Sequence, residues 1–291
     1  MKENLVFLGG LPRAGSTVLC NILAQNPKLH ATPTSPLVDL VVQLRRQLVE
    51  NESFKSQQYD EMRRRMVDGL RGYCTGFFEK EFEAGKTVID KSRGHIAYIE
   101  VWEEILKRKV KFIVPVRDIR AVVASFEVLY RKDPFHTWPQ ETQDYAAWQT
   151  TEGRMTLMLQ ALSPVGIAIN RIKDIYSRGL QDRCFFVRYH TIAANPEALM
   201  KDIYTFLEME PFEHDFNNIE QKTYEDDLQF GIRNLHTIRN KAEQSQTDWT
   251  KIVPDAIAKD IVNRFLWFYH RFYPEMLPGA QEELSEEPKK D

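Results

Sequence analysis

Asn4-Leu-Val-Phe-Leu8, followed by Gly9-Gly10-Leu11-Pro12-Arg13-Ala14-Gly15-Ser16-Thr17, places an apolar run, two glycines and a hydroxyl pair in sequence near the start of the chain. A short apolar run stopped by glycines reads as a buried strand. Ser16 to Gln25, closed by Asn26-Pro27, reads as a helix. Gly10 and Gly15 have the Gly-x4-Gly spacing of a phosphate-binding loop. The backbone N–H groups of such a loop and of the helix start can cradle an anion, here from Ala14, Gly15, Ser16 and Thr17. An ATP-binding loop of this kind needs Lys to reach the β- and γ-phosphates, and Ser16 occupies that position. The loop's cation is instead Arg13, which can bind an oxyanion bidentately.

Outward from this loop, short β-rich runs alternate with helical patterns. Thr87 to Ile89 and Cys184 to Val187 read as strands, and Val110 to Val116 is the strongest strand signal. Helices are expected over Pro36 to Leu48 with Ser35 as cap, over 55–83 in one or two pieces, and over 95–108. Further helices are expected from Ile119 to about Arg131, over 141–162, 165–178 and Pro196 to Leu207, and over 255–272, where an aromatic-rich face reads as core. This alternation predicts an α/β fold: one P-loop-like domain, a central parallel sheet with helices on both faces, and helical insertions. The domain is expected over 1–278, with a polar, mobile tail over 279–291. Ligands of such sheets sit at the carboxyl ends of the strands.

Composition removes several classes. Hydrophobic residues are 43% and charged residues 28% of the 291 positions, enough apolar material for a sizeable core. Lys plus Arg number 39 and Asp plus Glu 42, giving a net charge of −3, a poor footing for general nucleic-acid binding. Any anion must therefore be held by a local cluster. Cys20, Cys74 and Cys184 form no metal-ligand spacing, and no apolar run approaches the ~20 residues of a membrane span. The four apolar residues Leu5 to Leu8 are too few for a signal-peptide core, so a cytoplasmic protein is expected.

Gly10 to Thr17 resembles the 5′-phosphosulfate loop of sulfotransferases, which use 3′-phosphoadenosine 5′-phosphosulfate (PAPS). Val116-Arg117-Asp118-Ile119-Arg120, running on to Ser125, is similar to that family's 3′-phosphate motif. Two helical turns separate Arg117 from Ser125, so both can face one phosphate. Val187-Arg188-Tyr189 also resembles the family, and there the Tyr packs near the adenine. Leu235-His236-Thr-Ile-Arg239-Asn-Lys241 and Trp249-Thr-Lys251 are similar to the nucleotide-covering loop of the tyrosylprotein branch, in bacterial form. The resemblance implies sulfuryl transfer from PAPS to a hydroxyl or amine, without a metal. It implies Arg13 and Lys91 as neutralisers of charge on the leaving group, Lys91 standing where the family places a Lys on the bridging oxygen. It implies donor contacts from Arg117, Ser125, Tyr189, Arg239 and Lys241.

The base is less constrained. The tyrosylprotein branch uses a Glu after the first helix, but Leu29 to Pro36 contains no carboxylate. Cytosolic sulfotransferases use a His two residues after the Lys, where Arg93 stands. His95, four residues after Lys91, is the first candidate. His30 is the second. His236 falls where the tyrosylprotein branch has a functional Ser. His136 and Trp138 are candidates for an acceptor cleft, and Arg63-Arg64-Arg65 reads as a solvated face. A small-molecule kinase with an aberrant loop and a non-catalytic nucleotide-binding protein stay open as alternatives. The acceptor (small molecule, sugar, lipid or peptide tyrosine) and the oligomeric state are not legible.

Overall fold

The computed structural model describes residues 4–244 and 247–277. The tail read at 279–291 lies outside them. Five strands, β1 (Leu5–Leu8), β2 (Leu29–Thr34), β3 (Thr87–Lys91), β4 (Phe112–Val116) and β5 (Cys184–Arg188), form one sheet. Its order is β2-β3-β1-β4-β5, and every neighbouring pair is parallel. The chain leaves β1 toward one edge, and after β3 it crosses to the other side. The carboxyl end of β1 is therefore a switch point, flanked by the ends of β3 and β4.

Alternation along the strands sends side chains to two separate cores. Leu5 and Phe7 of β1, Val88 of β3, and Phe112, Val114 and Val116 of β4 join one core with Trp102, Val122, Ile169 and Phe268. Val6, Leu8, Ile89 and Ile113 join the other with Leu19, Ile22, Ile203 and Tyr204. Burial on both faces explains why these strands read as unbroken apolar runs. Each fully buried Leu, Ile or Phe contributes roughly 1.5–3 kcal/mol.

Two features depart from the sequence reading. First, β2 was not foreseen as a strand. Leu-His-Ala-Thr-Pro-Thr is weakly apolar, and Pro33 restricts it to an edge, where the register with β3 shifts between Ala31 and Thr34. Second, the helix expected over 141–162 is three short ones, Pro139–Gln143, Tyr145–Trp148 and Thr151–Met158. Asp144 and Thr150 end their predecessors by capping the next helix, accepting from Ala147 N–H and Gly153 N–H. Residues 208–254, where no element was expected, contain only the short 3₁₀ turns Asp227–Phe230 and Trp249–Lys251 among the described residues.

The aromatic C-terminal segment is core, as its spacing indicated, with Phe265, Phe268, Tyr269, Phe272 and Tyr273 buried. It is divided into Asp255–Arg264 and Leu266–Phe272. The Tyr269 hydroxyl donates to Asp118 Oδ1 at 2.7 Å, fastening this segment to the end of β4. Among the described residues no helix is long and apolar enough to cross a membrane.

Candidate active site

A cleft of about 600 Å³ opens at the carboxyl ends of β1, β3 and β4. The loop after β1 forms its floor because two glycines let it sit tightly between the neighbouring strand ends. A Cβ on Gly9 would stand 2.3 Å from the Ser92 carbonyl oxygen, and one on Gly10 would stand 2.2 Å from that of Pro115. Leu11 N–H donates to Pro115 O at 2.9 Å, and Ser92 N–H to Leu8 O at 3.0 Å, locking the loop between β3 and β4. The loop then turns through two left-handed residues, Arg13 (φ 58°) and Gly15 (φ 85°). Gly15 enters that region without cost, whereas a non-Gly residue there is strained by about 1–3 kcal/mol. The Ser16–Leu23 helix starts directly afterwards.

Cations gather on this floor. Arg13 Nε donates to Ser125 Oγ at 3.1 Å, and its Nη1 donates to the Leu235 carbonyl. Arg117 Nη1 donates to the Arg13 carbonyl at 2.8 Å. The Arg117 guanidinium lies over the Tyr189 ring, 4.2 Å from its centroid. Burial, reinforced by the charge of Arg117, lowers the Arg13 pKa to about 10, so it stays protonated at neutral pH. Burial lowers Arg117 as well. Among the described residues neither guanidinium pairs with a carboxylate. Two partly desolvated, uncompensated cations call for an anionic ligand.

Lys91, at the end of β3, enters from the opposite side and is 4% exposed. It makes a buried ion pair with Glu225 Oε1. Burial alone would raise the Glu225 pKa, but hydrogen bonds from Lys91 and Thr34 outweigh it and hold the carboxyl below its usual range. Glu225 Oε2 lies 3.2 Å from His236 Nδ1. The same His236 nitrogen lies 2.6 Å from Asp227 Oδ1, while His236 N–H donates to Asp227 Oδ2 at 2.9 Å. His236 lines the cleft.

The sequence-derived residues divide cleanly. Arg13, Gly15, Ser16, Thr17, Lys91, Arg117, Ser125, Tyr189, Arg239 and Lys241 all line this cleft, and Ala14 is buried in its floor. Arg239 is half exposed and pairs with Glu243 at 2.9 Å. His95 is not brought into the cleft. It is fully buried between Phe7 and Trp102, with ring centroids at 4.4 and 5.2 Å, and its Nε2 is 2.8 Å from the buried Asp90 Oδ2. An acceptor hydroxyl would have to unpack the core to reach it. His30, on edge strand β2, is on neither wall; its Nδ1 is 4.0 Å from Glu81. Trp138 packs against Phe126, Tyr130 and Trp148 inside the core. Trp249 stacks under Arg120, and Lys251 points to Asp248. Arg64 and Arg65 pair with Glu61, and Arg63 with Glu104, as a solvated face does.

Asp118 caps the Ile119–Lys132 helix by accepting from Arg120 N–H and also receives the Arg120 guanidinium. Its carboxylate is fully engaged. Among the described residues, no group of three or more His, Cys, Asp or Glu side chains could hold a metal ion. Sequence reading missed Glu225, Asp227 and Thr34. Tyr224-Glu-Asp-Asp227 looks like an ordinary acidic loop, and only the fold carries it over Lys91, far away in the chain.

Residues 6–214, more than two thirds of the chain, match a family model described as the sulfotransferase family. The chain is a member of the sulfotransferase family. This sulfotransferase is 23% identical over 207 residues to the Protein-tyrosine sulfotransferase of Drosophila melanogaster. That alignment covers 70% of this chain but only 38% of the Drosophila protein. The fold is similar to the Sulfotransferase Domain from the Curacin Biosynthetic Pathway, with TM-score 0.57 and 16% identity, covering 91% of this chain and 98% of that one. It is also similar to the Sulfotransferase Domain from the Synechococcus PCC 7002 Olefin Synthase, with TM-score 0.53 and 18% identity, covering 91% and 95%. At such identities the likeness is one of fold.

Proposed function

We propose that this sulfotransferase moves a sulfuryl group from PAPS to a hydroxyl or amine, in line with the leaving 5′-phosphate, and that residues 1–278 are its catalytic unit. The observation that carries this reading is the convergence of Arg13, Arg117, Ser125 and Lys91 on one cleft from three strand ends, with no carboxylate on either guanidinium. PAPS has anionic groups at both ends of its ribose, and such a cleft offers cations to both.

In this reading the amides from Ala14 to Thr17 and Arg13 hold the phosphosulfate. Arg117 and Ser125 hold the 3′-phosphate, Tyr189 lies beside the adenine, and Arg239 and Lys241 cover the nucleotide. Lys91 keeps one N–H on Glu225, turns another to the bridging oxygen and stabilises charge as the S–O bond breaks. Catalysis then consists of positioning and charge neutralisation, with no metal-dependent step. The acceptor enters along the apolar arm of the cleft, past Phe126, Leu129, Pro139, Pro164 and Phe230. The name of the Drosophila relative makes the phenol of a peptide tyrosine the first acceptor to try.

A thermal-shift comparison tests the donor. Stabilisation by 3′-phosphoadenosine 5′-phosphate in the presence of chelator is expected. Stabilisation by ATP with Mg²⁺ and none by the bisphosphate would establish the kinase reading instead. Isotope-labelled PAPS incubated with tyrosine peptides, sugars, lipids and amines then identifies the acceptor.

A further inference from the structure

We infer that His236 is the group that takes the proton from the acceptor, with Asp227 as its positioning residue and Glu225 standing between it and Lys91. The inference rests on the sulfuryl-transfer reading above and supplies the base that neither His95 nor His30 can provide from its position.

A carboxylate only accepts hydrogen bonds, so the 2.6 Å contact with Asp227 Oδ1 puts the ring proton on Nδ1. The lone pair is then on Nε2, which has no hydrogen-bond partner among the described residues. Asp227 grips both the ring and the backbone N–H of His236, so the imidazole is fixed in tautomer and orientation. The Phe230 ring packs against the imidazole in a T-shaped arrangement, 5.3 Å between centroids. Glu225 places the base next to the leaving-group cation, because its two oxygens face Lys91 Nζ and His236 Nδ1 respectively. Lys91 and His236 line the same cleft, so a hydroxyl attacking sulfur beside Lys91 shares that cleft with the imidazole.

The charges around the ring are Lys91 from the end of β3, Glu225 and Asp227 from its own connecting segment, and Arg13 beyond Asp227. Burial and then the Lys91 charge keep the imidazole below its ordinary pKa of 6.5, outweighing the two carboxylates. At neutral pH it is therefore unprotonated and ready to accept. In the step, the acceptor O–H bond breaks and its proton goes to Nε2. The oxygen's electron pair forms the new O–S bond, while the bond from sulfur to the 5′-phosphate oxygen breaks. That electron pair leaves on the bisphosphate, beside Lys91 and Arg13.

The test compares wild type, His236→Gln and Asp227→Asn with PAPS and two phenols, one weakly acidic and one already ionised at assay pH. Bisphosphate binding by thermal shift is measured in parallel. The expected result for His236→Gln is a loss of turnover of about 100-fold or more with the weakly acidic phenol and a much smaller loss with the ionised one, because general-base catalysis is worth about 10²–10⁴-fold. Its bisphosphate affinity should stay near wild type, and its acid limb should vanish. Asp227→Asn should move the limb to lower pH, since the imidazolium loses its carboxylate. In wild type, the pKa of the acid limb of turnover should match the His236 pKa followed by NMR in the bisphosphate complex. That last measurement needs no variant to fold. Equal losses with both phenols, or a limb that does not track His236, would overturn the assignment of the base. Failure of wild type to bind the bisphosphate would instead overturn the donor reading.

Discussion

Arg117 is held flat by Tyr189 beneath it and by the Arg13 carbonyl at its edge, so little side-chain freedom remains to be lost on binding. If it reads the 3′-phosphate, Arg117→Ala should weaken the bisphosphate by about 10- to 100-fold, the worth of a charge-assisted contact of roughly 1.5–3 kcal/mol. An analogue lacking the 3′-phosphate should be affected far less, and equal weakening of both, measured by calorimetry, would remove the role. Lys91 should behave differently. Its contact strengthens as charge develops on the leaving oxygen, so Lys91→Ala should reduce kcat much more than donor affinity. His95 marks the limit of reading residues singly. Four positions after Lys91 its imidazole looks available, but the turn at His95–Tyr98 folds it under β1. Its contribution is to packing, and His95→Asn should lower thermal stability while leaving the pH profile of turnover unchanged.

The loop after β1 was legible as an element because each of its constraints is local. Apolar strand, glycines, Arg and hydroxyl pair all fall within Leu5 to Thr17. The Arg117–Ser125 motif was legible for the same reason, since it too joins one strand end to one helix start. The wall formed by Glu225, Asp227 and His236 was not. That segment has no periodicity, and its position depends on contacts such as Thr223 with Asn21 of the first helix, at 2.9 Å. Strand β2 was hidden because an edge strand need not be apolar on both faces. The glycine constraint is testable. Gly10→Ala sets a methyl group 2.2 Å from a backbone carbonyl of β4, so the loop must lift away. Loss of bisphosphate binding is expected together with a fall of several degrees in Tm. A variant with wild-type Tm and affinity would show that the loop does not depend on this close approach.

At the scale of the molecule, a sheet buried on both faces must be closed by chain from far away in sequence. The second face is closed by the Pro196–Leu207 helix and the stretch after it. Asn26 donates to the Tyr204 hydroxyl at 3.0 Å, and that hydroxyl lies 3.0 Å from His214 Nε2. The His214 ring stacks on Tyr204 and packs against Phe212 and Phe216. Burial depresses the His214 pKa from 6.5 to about 4, so the folded protein keeps it neutral where the unfolded chain would protonate it. The unfolded state therefore binds more protons between those values. Stability is retained above pH 6.5 and lost as pH falls toward 4, by up to about 3 kcal/mol from this group. Chemical denaturation of wild type and His214→Gln at steps from pH 7.5 to 4 isolates it. The variant should be less stable at pH 7.5, where the stacking is missed, yet lose less stability on acidification, so that the two curves converge. Parallel curves between pH 6.5 and 4 would mean that another group carries the acid sensitivity of this face.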